Sequence, residues 1–394
     1  MYVYTNCNSI NDEPDYIKKS KMAQKSSILE SVKEYYGKVL ESSSDLKTGN
    51  EVCNKNLSAE NKYVCRAISE VHQAVSAKYY GCGLCIPPAL QRANILDLGS
   101  GSGRDCFAVS KLAGPAGNVV GIDMTKEQVD VANTYIEYHT ERFGFKQPNV
   151  RFVKGYCEDL IGAGLEKDSF DVIISNCVIN LCPDKETVLR EAFNVLKPGG
   201  ELYFSDMYTD TLQSDIVRED KVLWGEGFAG SLHWKQFHDI TKKIGFSAPC
   251  IVACSPIRVD REDFKKKLGE AKYCSVTYRL FKPNVNQAND VEIFAQSGVG
   301  FVTYRGQILH HEDSFKLDHR LTLQKGARTA VPAQVMSMLL SSRFSEEFDF
   351  EAAGTDDKAC CRYTWIDLED PFDVLKRMAE KDGQLTFCQK IKGT

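Results

Sequence analysis

Apolar residues at helical spacing appear first between Ser26 and Leu40, where Ile28, Leu29, Val32, Tyr35, Tyr36 and Val39 form one stripe. A second stripe, Val64, Ile68, Val71 and Val75, predicts a helix from about Tyr63 to Tyr79. From Ala93 to about Tyr208 the period switches repeatedly. The strand-like runs ANILDLG, NVVGIDM, NVRFVKG, FDVIISN and GELYFSD alternate with helical stretches at Arg104–Leu112, Lys126–Tyr138 and Lys185–Leu196. This alternation predicts a doubly wound α/β domain, a parallel sheet covered by crossover helices. Lys197-Pro198-Gly199-Gly200 stops the last of these helices and leads directly into a strand. Past it, a helix over Trp234–Ile244 gives way to the β-rich stretches VTYRLF, VEIFAQS, FVTYRG and HRLTLQ.

The pattern divides the chain into four parts. Residues 1–25 are polar, Lys/Ser-rich and aperiodic, and read as a disordered extension. Residues 26–249 form the α/β domain with its N-terminal helices. Residues 250–345 read as a smaller, mostly β domain, and 346–394 as an irregular tail with a short helix near Phe372–Ala379.

Composition narrows the function classes. A net charge of -5 argues against nucleic acid as the main partner. No run approaches the ~20 apolar residues of a membrane span, and the polar N-terminus lacks the core of a secretory signal, so a cytoplasmic location is expected. In a reducing compartment most of the 15 cysteines would remain thiols. Cys106, Cys157, Cys250, Cys254, Cys274 and Cys388 are taken first as small buried hydrophobes.

The run Ile95-Leu96-Asp97-Leu98-Gly99-Ser100-Gly101-Ser102-Gly103-Arg104 sends an apolar strand into a glycine-rich loop and then a helix. Glycines allow the tight turn and let backbone approach a ligand where a Cβ would clash. Arg104 occupies the place where the dinucleotide fingerprint needs its last glycine. Asp123 ends the next strand, roughly 20 residues beyond the loop, where a carboxylate can accept hydrogen bonds from a ribose. The third strand leads into Cys157-Glu158 and the fourth into Asn176-Cys177. This order resembles class I methyltransferases, whose Rossmann-like domain binds S-adenosylmethionine. The resemblance implies cofactor-binding roles for Asp97, Gly99, Gly101, Gly103, Asp123, Met124, Cys157, Glu158 and Asn176.

Cys82, in Tyr80-Gly81-Cys82-Gly83, precedes the first strand, and Cys177 ends the fourth, where open α/β sheets place their ligands. Two thiols near one crevice suit a soft, thiophilic acceptor, although two packed thiols are the plainer alternative. The words YYGCGL, ILDLGSGSGRDC, GIDMTK, SNCVINL, LKPGGELYFSD and KVLWGE, with SSSDLKTG before them and VTYRLFK after, resemble the eukaryotic arsenite methyltransferases. The similarity covers about residues 26 to 345.

That resemblance implies arsenic held by the thiolates of Cys82 and Cys177, with Cys53 as redox partner, arsenite as substrate, and glutathione or thioredoxin as reductant. The family also carries a cysteine directly after Trp-Gly-Glu, where this chain has Trp224-Gly225-Glu226-Gly227. Glycine offers no ligand. Either two protein thiolates suffice, with a small thiol such as glutathione completing the set, or Cys85, three residues after Cys82, substitutes; Cys182 is a weaker substitute. The loss leaves two alternatives to arsenite methylation: another small acceptor, or metalloid binding without turnover. Glu226 and Asp206 read as a solvated side chain and a strand-end cap, without catalytic roles.

Overall fold

A computed structural model describes residues 15–39, 62–81, 83–284, 299–353 and 366–382. Five parallel strands form the expected core: β1 (Asn94–Leu98), β2 (Asn118–Asp123), β3 (Val150–Lys154), β4 (Phe170–Asn176) and β5 (Leu196–Thr209). The short strand β6 (Leu232–His233) pairs with the end of β5. Two further strands, β7 (Cys250–Ile257) and β8 (Tyr273–Phe281), complete an eight-stranded sheet of order β3-β2-β1-β4-β5-β8-β7, with β6 beside β5. Strand order reverses between β1 and β4, which opens a crevice beyond their carboxyl ends, the usual ligand position in such sheets.

The expected boundary at residue 250 therefore moves. Strands β7 and β8 belong to the main sheet because β8 runs antiparallel along β5, from Glu201 opposite Phe281 to Thr209 opposite Tyr273. The small β region is built instead from β9 (Val299–Tyr304), β12 (Arg328–Pro332) and β13 (Phe348–Ala352), in the order β12-β9-β13. A hairpin of β10 (Ser314–Lys316) and β11 (Thr322–Gln324) lies with it. Phe315, Val331, Met336 and Phe344 share its buried core. The tail beyond 345 thus opens with a structural strand, and its helix, Pro371–Asp382, buries Val374 and Leu375 in the main core. VEIFAQS lies outside the described residues, as do Cys360, Cys361 and Cys388.

One buried cluster of charges ties the two parts together. Glu201 on β5, fully buried, accepts from Arg279 Nε on β8 at 2.5 Å and from Arg343 Nε at 2.7 Å. Arg279 Nη1 also donates to the carbonyls of Lys316 and Leu317. Arg343 reaches back to the carbonyls of Pro88 and Ala89 just before β1. Both oxygens of the carboxylate are matched by a donor, as a buried ion requires.

At the N-terminus, a helix runs over Asp15–Glu34 and ends in a π turn over Tyr35–Val39. It starts well inside the segment expected to be disordered. No glycine or proline interrupts residues 15–36, and Lys, Met, Ala, Gln and Glu are good helix formers. The helix expected over 63–79 breaks in two, Lys62–Ser69 and Gln73–Ser76. At the break His72 is extended; its Nδ1 accepts from Ala74 N–H, and its own N–H donates to His139 Nε2 at 3.1 Å. Among the described residues no helix is long and apolar enough to cross a membrane.

Candidate active site

A cleft opens over the carboxyl ends of β1, β2 and β4. Its floor is the glycine loop. Gly99 and Ser100 donate their N–H groups to the Ile122 carbonyl at 2.8 and 3.0 Å, which folds the loop back over β2. Gly99 (φ +68°) packs so closely under Val178 that any Cβ would collide with it. At Gly101 (φ +52°) a Cβ would meet nothing within 4 Å, so the absent side chain leaves backbone facing open cleft. Gly103 differs from its expected role. It does not line the cleft; it is the N-cap of the helix Arg104–Ala113 at φ +91°, pressed against the Phe152 ring. Its glycine is required by packing and helix entry, not by ligand approach.

Asp123 sits across the loop. Its Oδ2 accepts from Gly101 N–H at 2.9 Å and its Oδ1 from Thr125 N–H at 2.8 Å. Burial raises its pKa, and these backbone donors pull in the opposite direction. Asp97, nearly enclosed, accepts from Cys106 Sγ at 3.2 Å, and burial together with the neighbouring Asp105 pushes its carboxyl well above the usual range. Met124, Cys157, Glu158, Asn176 and Cys177 line the same cleft, so these expected site residues are brought together.

Two polar atoms in the cleft wall show that it suits a polar ligand. Gln128 Oε1 and Glu158 Oε1 are buried without a hydrogen-bond partner, although Gln128 Nε2 donates to the Tyr36 carbonyl. Buried acceptors left unmatched are costly and point to an outside donor. Acceptors on Asp123, Gln128 and Glu158 beside an open glycine backbone fit the hydroxyl, amino and carboxylate groups of S-adenosylmethionine. If Asp123 holds the ribose, Asp123→Ala also frees the loop amide of Gly101. Hydrogen bonds to charged groups contribute roughly 1.5–3 kcal/mol. S-adenosylmethionine affinity, read by calorimetry, should therefore fall at least ~10-fold; an unchanged affinity would count against the assignment.

Cys177 follows β4 directly, at φ +60°. This left-handed conformation costs a non-glycine residue roughly 1–2 kcal/mol, and such strain concentrates at functional positions. The turn is held by Cys177 N–H donating to the Ser205 carbonyl at 2.8 Å, and the residue stands in the cleft wall. Beside it, Asn176 Nδ2 donates to Tyr79 Oη at 2.6 Å and to the Gly83 carbonyl at 3.1 Å. Asn176 thus anchors the chain immediately after Cys82. Cys82 and Cys53 themselves lie outside the described residues.

Cys85 does not serve as a substitute ligand in this arrangement. It is buried between β4 and β5, away from the cleft, donating to the carbonyls of Ser175 at 3.3 Å and Tyr203 at 3.6 Å. Cys182 does line the cleft.

Gly227 turns at φ +86°, and a Cβ there would lie 2.8 Å from Asn180 Nδ2. Its carbonyl accepts from Asn180 Nδ2 and Ser231 Oγ. The site of the missing cysteine is thus a turn shaped around glycine. Glu226 is buried rather than solvated and accepts from Tyr35 Oη at 2.6 Å. Asp206 lies within β5 rather than capping its end, because the strand runs on to Thr209; its Oδ2 accepts from Asn180 N–H at 2.8 Å in the turn that follows β4.

The N-terminal helix closes one side of the cleft, which the sequence pattern did not reveal. Leu29, Val32 and Tyr36 line it, and Tyr36 Oη donates to the Gly225 carbonyl at 2.9 Å. Tyr79 also lines the cleft, and Arg104, paired with Asp105 at 2.7 Å, lies over its ring at 3.0 Å. The stripe Leu29, Val32 and Tyr36 signalled only burial; nothing in it distinguished a ligand-facing wall from ordinary packing.

Residues 90–245 match a methyltransferase domain model and residues 298–392 an arsenite methyltransferase C-terminal domain model. The arsenite methyltransferase of Rattus norvegicus is 42% identical over 92% of this chain and 96% of its own length. That of Aquipseudomonas alcaligenes is 46% identical over 82% of this chain and 90% of its own. An X-ray structure of an arsenic(III) S-adenosylmethionine methyltransferase from Chlamydomonas reinhardtii superposes with a TM-score of 0.68 at 36% identity, covering 74% of this chain and 96% of that one. With the cofactor cleft in place and relatives matched along nearly their full length, this chain belongs to the arsenite methyltransferase family of S-adenosylmethionine-dependent enzymes.

Proposed function

We propose that this enzyme methylates trivalent arsenic, arsenite and then methylarsonous acid, with Cys82 and Cys177 as thiolate ligands and Cys53 as their redox partner. The observation that carries this reading is Cys177, held in a left-handed turn at the end of β4 in the same cleft as Asp123 and the glycine loop. Bound S-adenosylmethionine supplies an electrophilic methyl group. Arsenic(III) brings its own lone pair, so no side chain has to remove a proton from the nucleophile. The work left to the protein is positioning and exclusion of water. Cys177 would fix the arsenic, Asn176 would steady the segment beside Cys82, and Leu29, Val32 and Tyr36 would shield the cleft.

Methyl transfer takes the arsenic from trivalent to pentavalent. Two electrons return it to the trivalent state when two thiols, Cys53 and Cys82, give up two protons and close a disulfide. Glutathione or thioredoxin would then reopen that disulfide by exchange. With Gly227 in place of a third cysteine and Cys85 buried elsewhere, a small thiol such as glutathione completes the arsenic coordination.

The test is arsenic speciation after incubation with arsenite, S-adenosylmethionine, glutathione and a thioredoxin system. Mono- and dimethylated arsenic above the no-enzyme control is expected. Unmethylated arsenite returned by protein that still binds cofactor would sink the reading. A companion variant tests the turn: Gly227→Cys should lose about 1–2 kcal/mol of stability, the cost of a left-handed side chain, without a gain in rate. Thermal unfolding and product formation measured together would read this; a stable variant with faster turnover would show that the turn can accept a third ligand.

A further inference from the structure

The cofactor cleft contains a pair of thiols that the reaction above does not use. Cys157 follows β3 and Cys182 follows the 3-10 turn Ile179–Leu181, so they come from segments on either side of the sheet's reversal point. Both are buried in the same hydrophobic cluster, both line the cleft, and the Cys157 thiol is the neighbour that acts most strongly on that of Cys182. Lys185 fixes the second segment from below: its Nζ donates to the Cys182 carbonyl at 2.8 Å and lies over the Trp224 ring at 5.1 Å. Next to Cys157 stands Glu158, whose Oε1 is unpartnered.

We propose that Cys157 and Cys182 form a dithiol site for a monosubstituted trivalent arsenical, R–As(III), and that its occupation excludes the cofactor from the cleft.

The ligand class follows from the donor set. Among the described residues no group of three or more His, Cys, Asp or Glu side chains could hold a metal ion, so two thiols stand without further ligands. A monosubstituted arsenical needs two sulfur partners, because carbon already fills its third valence. The neighbouring Cys157 thiol and burial push the Cys182 thiol well above the usual range, which disfavours a metal cation that requires thiolates. Condensation needs none: R–As(OH)2 and two thiols give R–As(SR)2 and two waters. Two As–O and two S–H bonds break, two As–S bonds form, and no electrons move. The adduct would occupy the wall facing Asp123 and Met124, which also line this cleft. The exclusion half of the proposal rests on the reading of this cleft as the cofactor site.

The experiment uses the full-length protein carrying Cys82→Ser and Cys177→Ser, with phenylarsine oxide as probe. Peptide mapping should show an adduct bridging Cys157 and Cys182. Equilibrium dialysis should show S-adenosylmethionine affinity weakened at least ~10-fold by the probe, a change equivalent to 1.4 kcal/mol. Adding either Cys182→Val or Cys182→Ser should abolish both effects, with folding checked by circular dichroism. An adduct elsewhere, or a probe effect that survives both Cys182 variants, overturns the site. A bridging adduct with undisturbed cofactor affinity overturns the exclusion. Protein that binds no cofactor even without probe contradicts the cofactor reading instead, and the adduct map alone then decides the dithiol.

Discussion

Cys177→Ser is expected to lower arsenite methylation by at least ~100-fold, the penalty typical of losing the group that positions a reactant. The hydroxyl replaces a soft sulfur ligand by a hard oxygen, and arsenic(III), being thiophilic, would bind it poorly. The backbone should be little affected, since serine meets the same left-handed strain and the bond from residue 177 N–H to the Ser205 carbonyl remains available. Asp123, Met124 and the glycine loop are untouched, so S-adenosylmethionine affinity should persist. Product speciation alongside cofactor titration separates the two effects. Wild-type methylation in the variant would remove Cys177 from the reaction.

The largest effect on stability is expected at Glu201. Glu201→Ala leaves the buried Arg279 and the half-buried Arg343 without their shared carboxylate, and stranding charges in this way costs about 3–5 kcal/mol. That is a large part of the ~5–15 kcal/mol that holds a typical domain together. The damage should centre where the small β region meets the main sheet, because Arg343 also holds Pro88 and Ala89 and Arg279 also holds the strand end at Lys316. Denaturant unfolding would measure the loss, and hydrogen exchange would locate it at β8 and in residues 299–353. A loss below ~1 kcal/mol, the range of exposed pairs, would mean the cluster is replaced by water or by rearrangement.

The two variants differ in how visible they are beforehand. Cys177 stands out because it ends a strand in a sequence whose strands are plainly marked. Glu201 does not, since a glutamate within GELYFSD reads as an ordinary polar position. Its burial arises only because Arg279, 78 residues later, and Arg343, 142 residues later, fold onto it. The same applies to Cys85, which is three residues from Cys82 yet faces the backbone between β4 and β5. Short spacing along a chain does not settle which way a loop residue points.

What the sequence determined by itself was local: five alternating strands, the glycine loop, the acid at Asp123 and the family words around them. These depend on period and turn chemistry within a few residues, where neighbours along the chain are also neighbours in space. Tertiary structure alone decided the rest. It recruited β7 and β8 into the main sheet, laid the N-terminal helix over the cleft, took Gly103 out of the ligand wall and set Cys157 and Cys182 in one cleft. Each of these depends on which distant surfaces bury each other, and the period of an apolar run shows that a face is buried without naming its partner.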